Sequence, residues 1–170
     1  MIRPQQREMP PLQPFLFDKD NGIIYNTNVE QYQIVIDTNV LAAALRSKRG
    51  ASYKLLMLID SGKFNIHISV PLVLEYEDVA KRLLEDIPLT EKDIDDILDY
   101  LCAVAQQQQI FYLWRPFLKD PKDDMVLELA VAANCDFIVT YNEKDFRGAE
   151  RFGLRVVTPK EFLKEIGELP

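Results

Sequence analysis

Histidine is almost absent. His67 is the only one among 170 residues. That excludes catalytic triads built on histidine and zinc sites built on several of them, so carboxylates must carry any acid, base or metal chemistry. Cysteine is scarce as well. Cys102 and Cys135 lie far apart, form no CxxC or zinc spacing, and read as free buried thiols of a cytoplasmic chain. A run of about 18 apolar residues, the least that would span a membrane, does not occur. The opening stretch MIRPQQREMPPLQPF holds no apolar core of the kind a signal peptide needs. Positive charge is in deficit: 20 Lys and Arg face 27 Asp and Glu, for a net charge of −7. Proteins that grip nucleic acid through bulk charge are usually basic, so such a contact here would need a local basic patch or a bound metal. Neither GxGxxG nor GxxxxGK[ST] occurs, which removes both usual phosphate-cradling loops.

What is present is a globular composition, 48% hydrophobic and 28% charged. The length suits one domain with an extension. Residues 1–32 form that extension. They carry Pro4, Pro10, Pro11 and Pro14, and Phe15–Phe17 and Ile23–Tyr25 flank Asp18–Gly22 as the arms of a short hairpin would. The string does not match a calcium loop, because counting from Asp18 the glycine falls at position 5 and the required glycine and glutamate positions, 6 and 12, hold Ile23 and Val29. Residues 33–170 alternate strands with helices. Strands are expected at Gln33–Ile36, Phe64–Ile68, Ile110–Leu113, Phe137–Val139 and Arg155–Val157. Helices are expected at Val40–Leu45, along the Tyr53, Leu55, Leu56, Ile59 stripe before Gly62, and after the caps Ser69, Thr90, Asp120 and Thr158. This alternation reads as an α/β fold with a mostly parallel sheet.

Ligands of such sheets bind beyond the carboxyl ends of the strands. Asp37 closes the first strand and Asp145 follows the fourth. Asp120, Asp123 and Asp124 open the helix that leads into the fourth strand, and Glu75 lies in the second turn of the helix after the second strand. Four segments thus deliver acids to one rim. Massed carboxylates repel one another unless a cation sits among them, and oxygen ligands suit Mg²⁺ or Mn²⁺. Such an ion orients a phosphodiester and activates a water. Each acid also has a plainer reading. Asp37 could end a strand, Glu75 could be a solvated helix residue, Asp120 reads as an N-cap, and Asp123 complements the helix dipole. Asp124 is the better ligand candidate of the three, since the apolar Met125, Val126 and Leu127 follow it. Asp93, Asp95, Asp96 and Asp99 read as a charged outer helix face, and His67 as a packed strand residue. Trp114 and Arg115 read as loop anchors that could also meet a base or phosphate. Arg46, Lys48, Arg49 and Lys54 form either a solvated loop or a patch that steers a polyanion.

The run Ile34-Val35-Ile36-Asp37-Thr38-Asn39-Val40 resembles the opening of PIN-domain proteins. The resemblance continues through Ser69 to Glu75-Tyr76, Asp120-Pro121-Lys122-Asp123-Asp124, Ile138-Val139-Thr140 and Val157-Thr158-Pro159, covering residues 33–165. It is greatest to the branch described as toxin components of toxin–antitoxin pairs. The resemblance implies a three-layer α/β/α sandwich of about five strands, a metal-dependent endoribonuclease acting through Mg²⁺ or Mn²⁺ and an activated water, a cognate antitoxin partner, and a homodimer. Carried over, the family's acids fall on Asp37, Glu75 and Asp124, and Asp145 serves as the fourth. Similar proteins hold an acid where this chain has Asn142, which would then orient Asp145 or a water. Thr38, Asn39, Asp123 and Thr140 stand as supporting residues. Arg46, Lys48, Arg49 and Lys54 are the candidate RNA contacts. Two other readings remain: a non-catalytic PIN-like scaffold that binds a protein partner, and a phosphatase using Asp37 as nucleophile. Asn39 counts against the second, since such enzymes carry a further Asp there.

Overall fold

Four short runs rich in β-branched and aromatic residues build most of the sheet, as their propensity requires. The computed structural model describes residues 31–111 and 116–170. The strands are β1 (Tyr32–Ile36), β2 (Phe64–Ile68), β3 (Gln106–Gln107), β4 (Phe137–Val139) and β5 (Arg155–Val157). Their order is β3-β2-β1-β4-β5, and each described pairing is parallel. Ile34 pairs with both Ile66 and Phe137, and Ile36 with Val139, which makes β1 the centre of the core. The helices are α1 (Thr38–Arg46), α2 (Ala51–Met57), α3 (Val70–Arg82), α4 (Glu91–Val104), α5 (Pro121–Ala132) and α6 (Pro159–Glu165). The α/β class, the parallel five-stranded sheet and the sandwich architecture expected from the sequence are the fold observed.

Helix starts follow local chemistry. Thr90 and Asp93 close a reciprocal capping box on α4, and Thr158 and Glu161 do so on α6. Asp120 caps α5 by accepting a bond from Lys122 N at 3.0 Å. Asp93 therefore caps its helix, while Asp95, Asp96 and Asp99 occupy the exposed face. Ser69 stands at the N-cap of α3, yet its hydroxyl accepts no cap bond. Pro71 in the first turn removes one amide that a capping serine would serve.

The third strand differs from expectation. Ile110 and Phe111 pair with no strand, and Phe111 is 80% exposed. The edge strand forms earlier, at Gln106–Gln107, opposite His67 and Ile68, and Gln108 N adds a bond to Ile68 O at 2.8 Å. An edge ladder is made by backbone and needs no apolar side chain, so two exposed glutamines suffice. The expected hairpin within residues 1–30, the end of the expected strand at Leu113, and Trp114 and Arg115 lie outside the described residues.

Near the amino ends of the strands sits an aromatic cluster. Phe162 of α6 meets Phe64 and Phe137 edge-on at 5.3 Å each, and Tyr32 meets Phe137 at 5.2 Å. The Arg155 guanidinium lies 4.6 Å over the Phe137 ring. Phe162 is fully buried. Phe162→Ala is expected to destabilise the fold by about 3–5 kcal/mol, read as a lower denaturant midpoint. A change below about 1 kcal/mol would mean that the cluster does not anchor α6.

Candidate active site

The carboxyl edge of the sheet is where the chain breaks from strand into loop, and Asp37 sits at its centre. β1 ends at Ile36, and Asp37 caps α1 with its carboxylate Oδ1 accepting from Thr38 N at 2.7 Å. Its Oδ2 accepts from Asn39 Nδ2 at 2.7 Å and from the Thr140 hydroxyl at 2.6 Å. Thr140, fully buried just past β4, also accepts from Asn142 N at 2.9 Å. Asn39 reaches the same loop, donating to Thr140 Oγ1 at 3.0 Å and accepting from Tyr141 N at 3.1 Å. The Asp37 carboxylate is thus fixed by three donors. Burial pushes its pKa up, those hydrogen bonds partly offset that, and the charge of Asp145 adds to the rise.

Glu75, half-buried on α3, has its pKa raised by burial first and then by Asp37, Asp120 and Asp78, while Lys122 opposes the rise. Its neighbour Tyr76 donates its buried hydroxyl to Ile36 O, which ties α3 to the end of β1. Burial also raises the Asp123 pKa to about 6, helped by the charges of Asp37, Asp120, Asp145 and Glu75. Asp145 lies exposed on the 3-10 turn Glu143–Phe146. Asp37, Glu75, Asp123 and Asp145 come from four chain segments, and their charges meet.

Asp124 does something else. It is 1% exposed, and its carboxylate accepts from Leu118 N at 2.8 Å and from Phe117 N at 3.2 Å. It pins the loop before α5 from within. One residue along a helix is about 100° of rotation, so Asp123 and Asp124 cannot share a face. The apolar pattern marks the burial and not the role: Val126, Leu127, Leu129 and Ala130 are all buried, and Asp124 falls on their side of α5.

The other expected residues are placed as follows. Thr38 keeps its hydroxyl buried without a hydrogen-bond partner among the described residues, as does Ser69. Asn142 joins the network through its backbone, and its side chain makes no cap bond to the 3-10 turn. Arg46, Lys48 and Arg49 are exposed. Lys54 is held by Glu168, 3.3 Å from its carboxylate and 2.5 Å from its carbonyl oxygen. His67 is packed as expected. Its Nε2 meets Gln33 Oε1 at 2.7 Å and its Nδ1 meets Gln108 Nε2 at 3.1 Å, and burial pushes its pKa down. Sequence reasoning missed Tyr141, whose hydroxyl meets the buried Ser52 Oγ at 2.8 Å.

Among the described residues, no three His, Cys, Asp or Glu side chains converge tightly enough to hold a metal as they stand. The chemistry of the donor set still fits a hard divalent ion. The facing groups are carboxylate oxygens, and their mutual repulsion is what a cation would relieve. An open cleft lined by Pro71, Glu75, Asp78, Pro121, Lys122 and Met125 lies beside them.

A sequence profile of the PIN domain matches residues 33–144, which run from β1 through the loop that carries Asn142. The chain belongs to the PIN domain family. The PIN fold is also shared with solved structures. VapBC2 from Rickettsia felis bound to a DNA fragment from their promoter matches with a TM-score of 0.51 at 16% identity, over 73% of this chain and 96% of that one. VapBC-1 from nontypeable Haemophilus influenzae matches with a TM-score of 0.52 at 14% identity, over 75% of this chain and 98% of that one. No curated protein matches the chain. No helix among the described residues is long and apolar enough to cross a membrane.

Proposed function

We propose that this PIN-domain chain is a metal-dependent endoribonuclease and the toxin half of a toxin–antitoxin pair in the cytoplasm. The observation that carries the proposal is the meeting of charges from Asp37, Glu75, Asp123 and Asp145 at the carboxyl edge of the sheet. Family membership supports nuclease chemistry, and the VapBC neighbours support a protein antitoxin and a homodimer.

In this reading Asp37, Glu75, Asp123 and Asp145 hold Mg²⁺ or Mn²⁺, with Asp123 taking the place expected for Asp124. The bound ion supplies positive charge for the phosphate and lowers the pKa of a water. The chain's own residues set the stage. Thr38, Asn39 and Thr140 hold the Asp37 carboxylate in one orientation, so no reorganisation is needed when a phosphate arrives. Arg46 at the end of α1, with Lys48 and Arg49 in the loop after it, attracts the RNA backbone. No side chain serves as nucleophile.

The test combines cleavage with melting. With millimolar Mn²⁺ the protein should cut RNA oligonucleotides, and EDTA should stop it. Metal ligands must be deprotonated, so protons compete with Mn²⁺ for these carboxylates, and cleavage should fall as the pH is lowered and recover with more Mn²⁺. Mn²⁺ should also raise the melting temperature. The loose placement of the acids favours one other reading, a PIN scaffold that only binds a partner. Absent cleavage together with an unchanged melting temperature would leave that reading in possession.

A further inference from the structure

Tyr141 is 47% exposed, although its polar end is tied down. Its hydroxyl meets Ser52 Oγ at 2.8 Å, and Ser52 is a buried residue in the first turn of α2. Its backbone N donates to Asn39 Oδ1 at 3.1 Å, and Asn39 Nδ2 donates to Asp37 Oδ2 at 2.7 Å. The side chain is therefore gripped at both ends. One grip leads to the central acid, the other to the helix that follows the basic loop of Arg46, Lys48 and Arg49. With the hydroxyl engaged, the ring is the part that a ligand can meet. The ring is thus linked through Asn39 to the Asp37 rim and through Ser52 to α2.

We propose that Tyr141 is a pre-set stacking platform for a nucleobase of single-stranded RNA beside the scissile phosphate, with Ser52 as its positioning residue. The inference rests on the nuclease reading and adds a specificity-determining contact to it. Stacking on an aromatic face tolerates every base, because every base has a π face. A ring whose far end is already fixed loses little freedom when a base lands on it, which favours binding. The platform selects for unpaired RNA, since a base inside a duplex is already stacked on its neighbours.

The experiment measures kcat and KM of the Mn²⁺-loaded protein on short single-stranded RNAs. It also follows 2-aminopurine placed next to the cut site in a rapid-mixing instrument. Tyr141→Ala should raise KM by about tenfold, the scale of one lost base stack, with kcat little changed. The 2-aminopurine quenching seen with the parent protein should disappear. Tyr141→Phe keeps the ring and loses only the bond to Ser52, so it should retain quenching, with a KM between those of the parent and Tyr141→Ala. Ser52→Ala should weaken both readouts less than Tyr141→Ala does. A merely structural Tyr141–Ser52 tether would make Tyr141→Phe as damaging as Tyr141→Ala, and that result overturns the platform. Equal KM and equal quenching in Tyr141→Ala also overturn it, while cleavage by the parent leaves the nuclease intact. Failure of the parent to cut any RNA removes both.

Discussion

Asp37→Asn is expected to lower metal-dependent RNA cleavage at least about a hundredfold, while the fold melts within a few degrees of the parent. The two effects separate because the carboxylate is both buried and fully engaged. Burial holds its charge at a disadvantage, and a neutral amide escapes that penalty. Against this, an amide offers one oxygen where Thr38, Asn39 and Thr140 now donate to two. One lost hydrogen bond costs about 1 kcal/mol, near to what the neutral side chain regains. The Mn²⁺ effect on melting should vanish with the activity. In the parent it is worth about 2.7 kcal/mol at a hundred times Kd. Cleavage at the parental rate by this variant would dispose of the carboxylate site altogether.

The second large effect is a contrast between adjacent residues. Asp123→Asn should abolish cleavage and the Mn²⁺ response without weakening the fold. Asp124→Asn should do the reverse, destabilising by about 2 kcal/mol and lowering the melting temperature by about 4–8 °C. Asp124 is the buried acceptor of the Phe117 and Leu118 amides, and bonds to a charged acceptor are among the stronger ones. Asp123 also leaves a mark on pH dependence. Its folded pKa of about 6 exceeds its ordinary 3.8, so between those values the folded state binds more protons than the unfolded one. Metal-free protein should therefore lose stability as pH rises through about 6, and Asp123→Asn should flatten that slope. If Asp124→Asn instead killed activity at full stability, the roles given to the two residues would be exchanged.

Much of the architecture was legible from the residues. The runs Gln33–Ile36, Phe64–Ile68, Phe137–Val139 and Arg155–Val157 announce strands because their β-branched and aromatic side chains suit a pleated, packed sheet. Thr90, Asp120 and Thr158 announce helix starts because a side-chain oxygen must meet orphan amides there. The edge strand was hidden. Gln106–Gln107 is defined by backbone pairing at a wet edge, which leaves no hydrophobic trace. At the site, Asp37 was readable from its position after a buried strand. The distinction between Asp123 and Asp124 was not, because a neighbour's apolar character says that a helix face is buried, and a buried acid can serve backbone amides as readily as a cation. The Tyr141–Ser52 contact joins residues 89 apart, and no local pattern announces it.

The aromatic knot of Tyr32, Phe64, Phe137 and Phe162 lies at the end of the strands away from the acids. Cohesion and chemistry are thereby housed at opposite poles of one sheet. A descendant of this chain could shed its acids one after another and keep its fold, its thermal resistance betraying nothing of the loss.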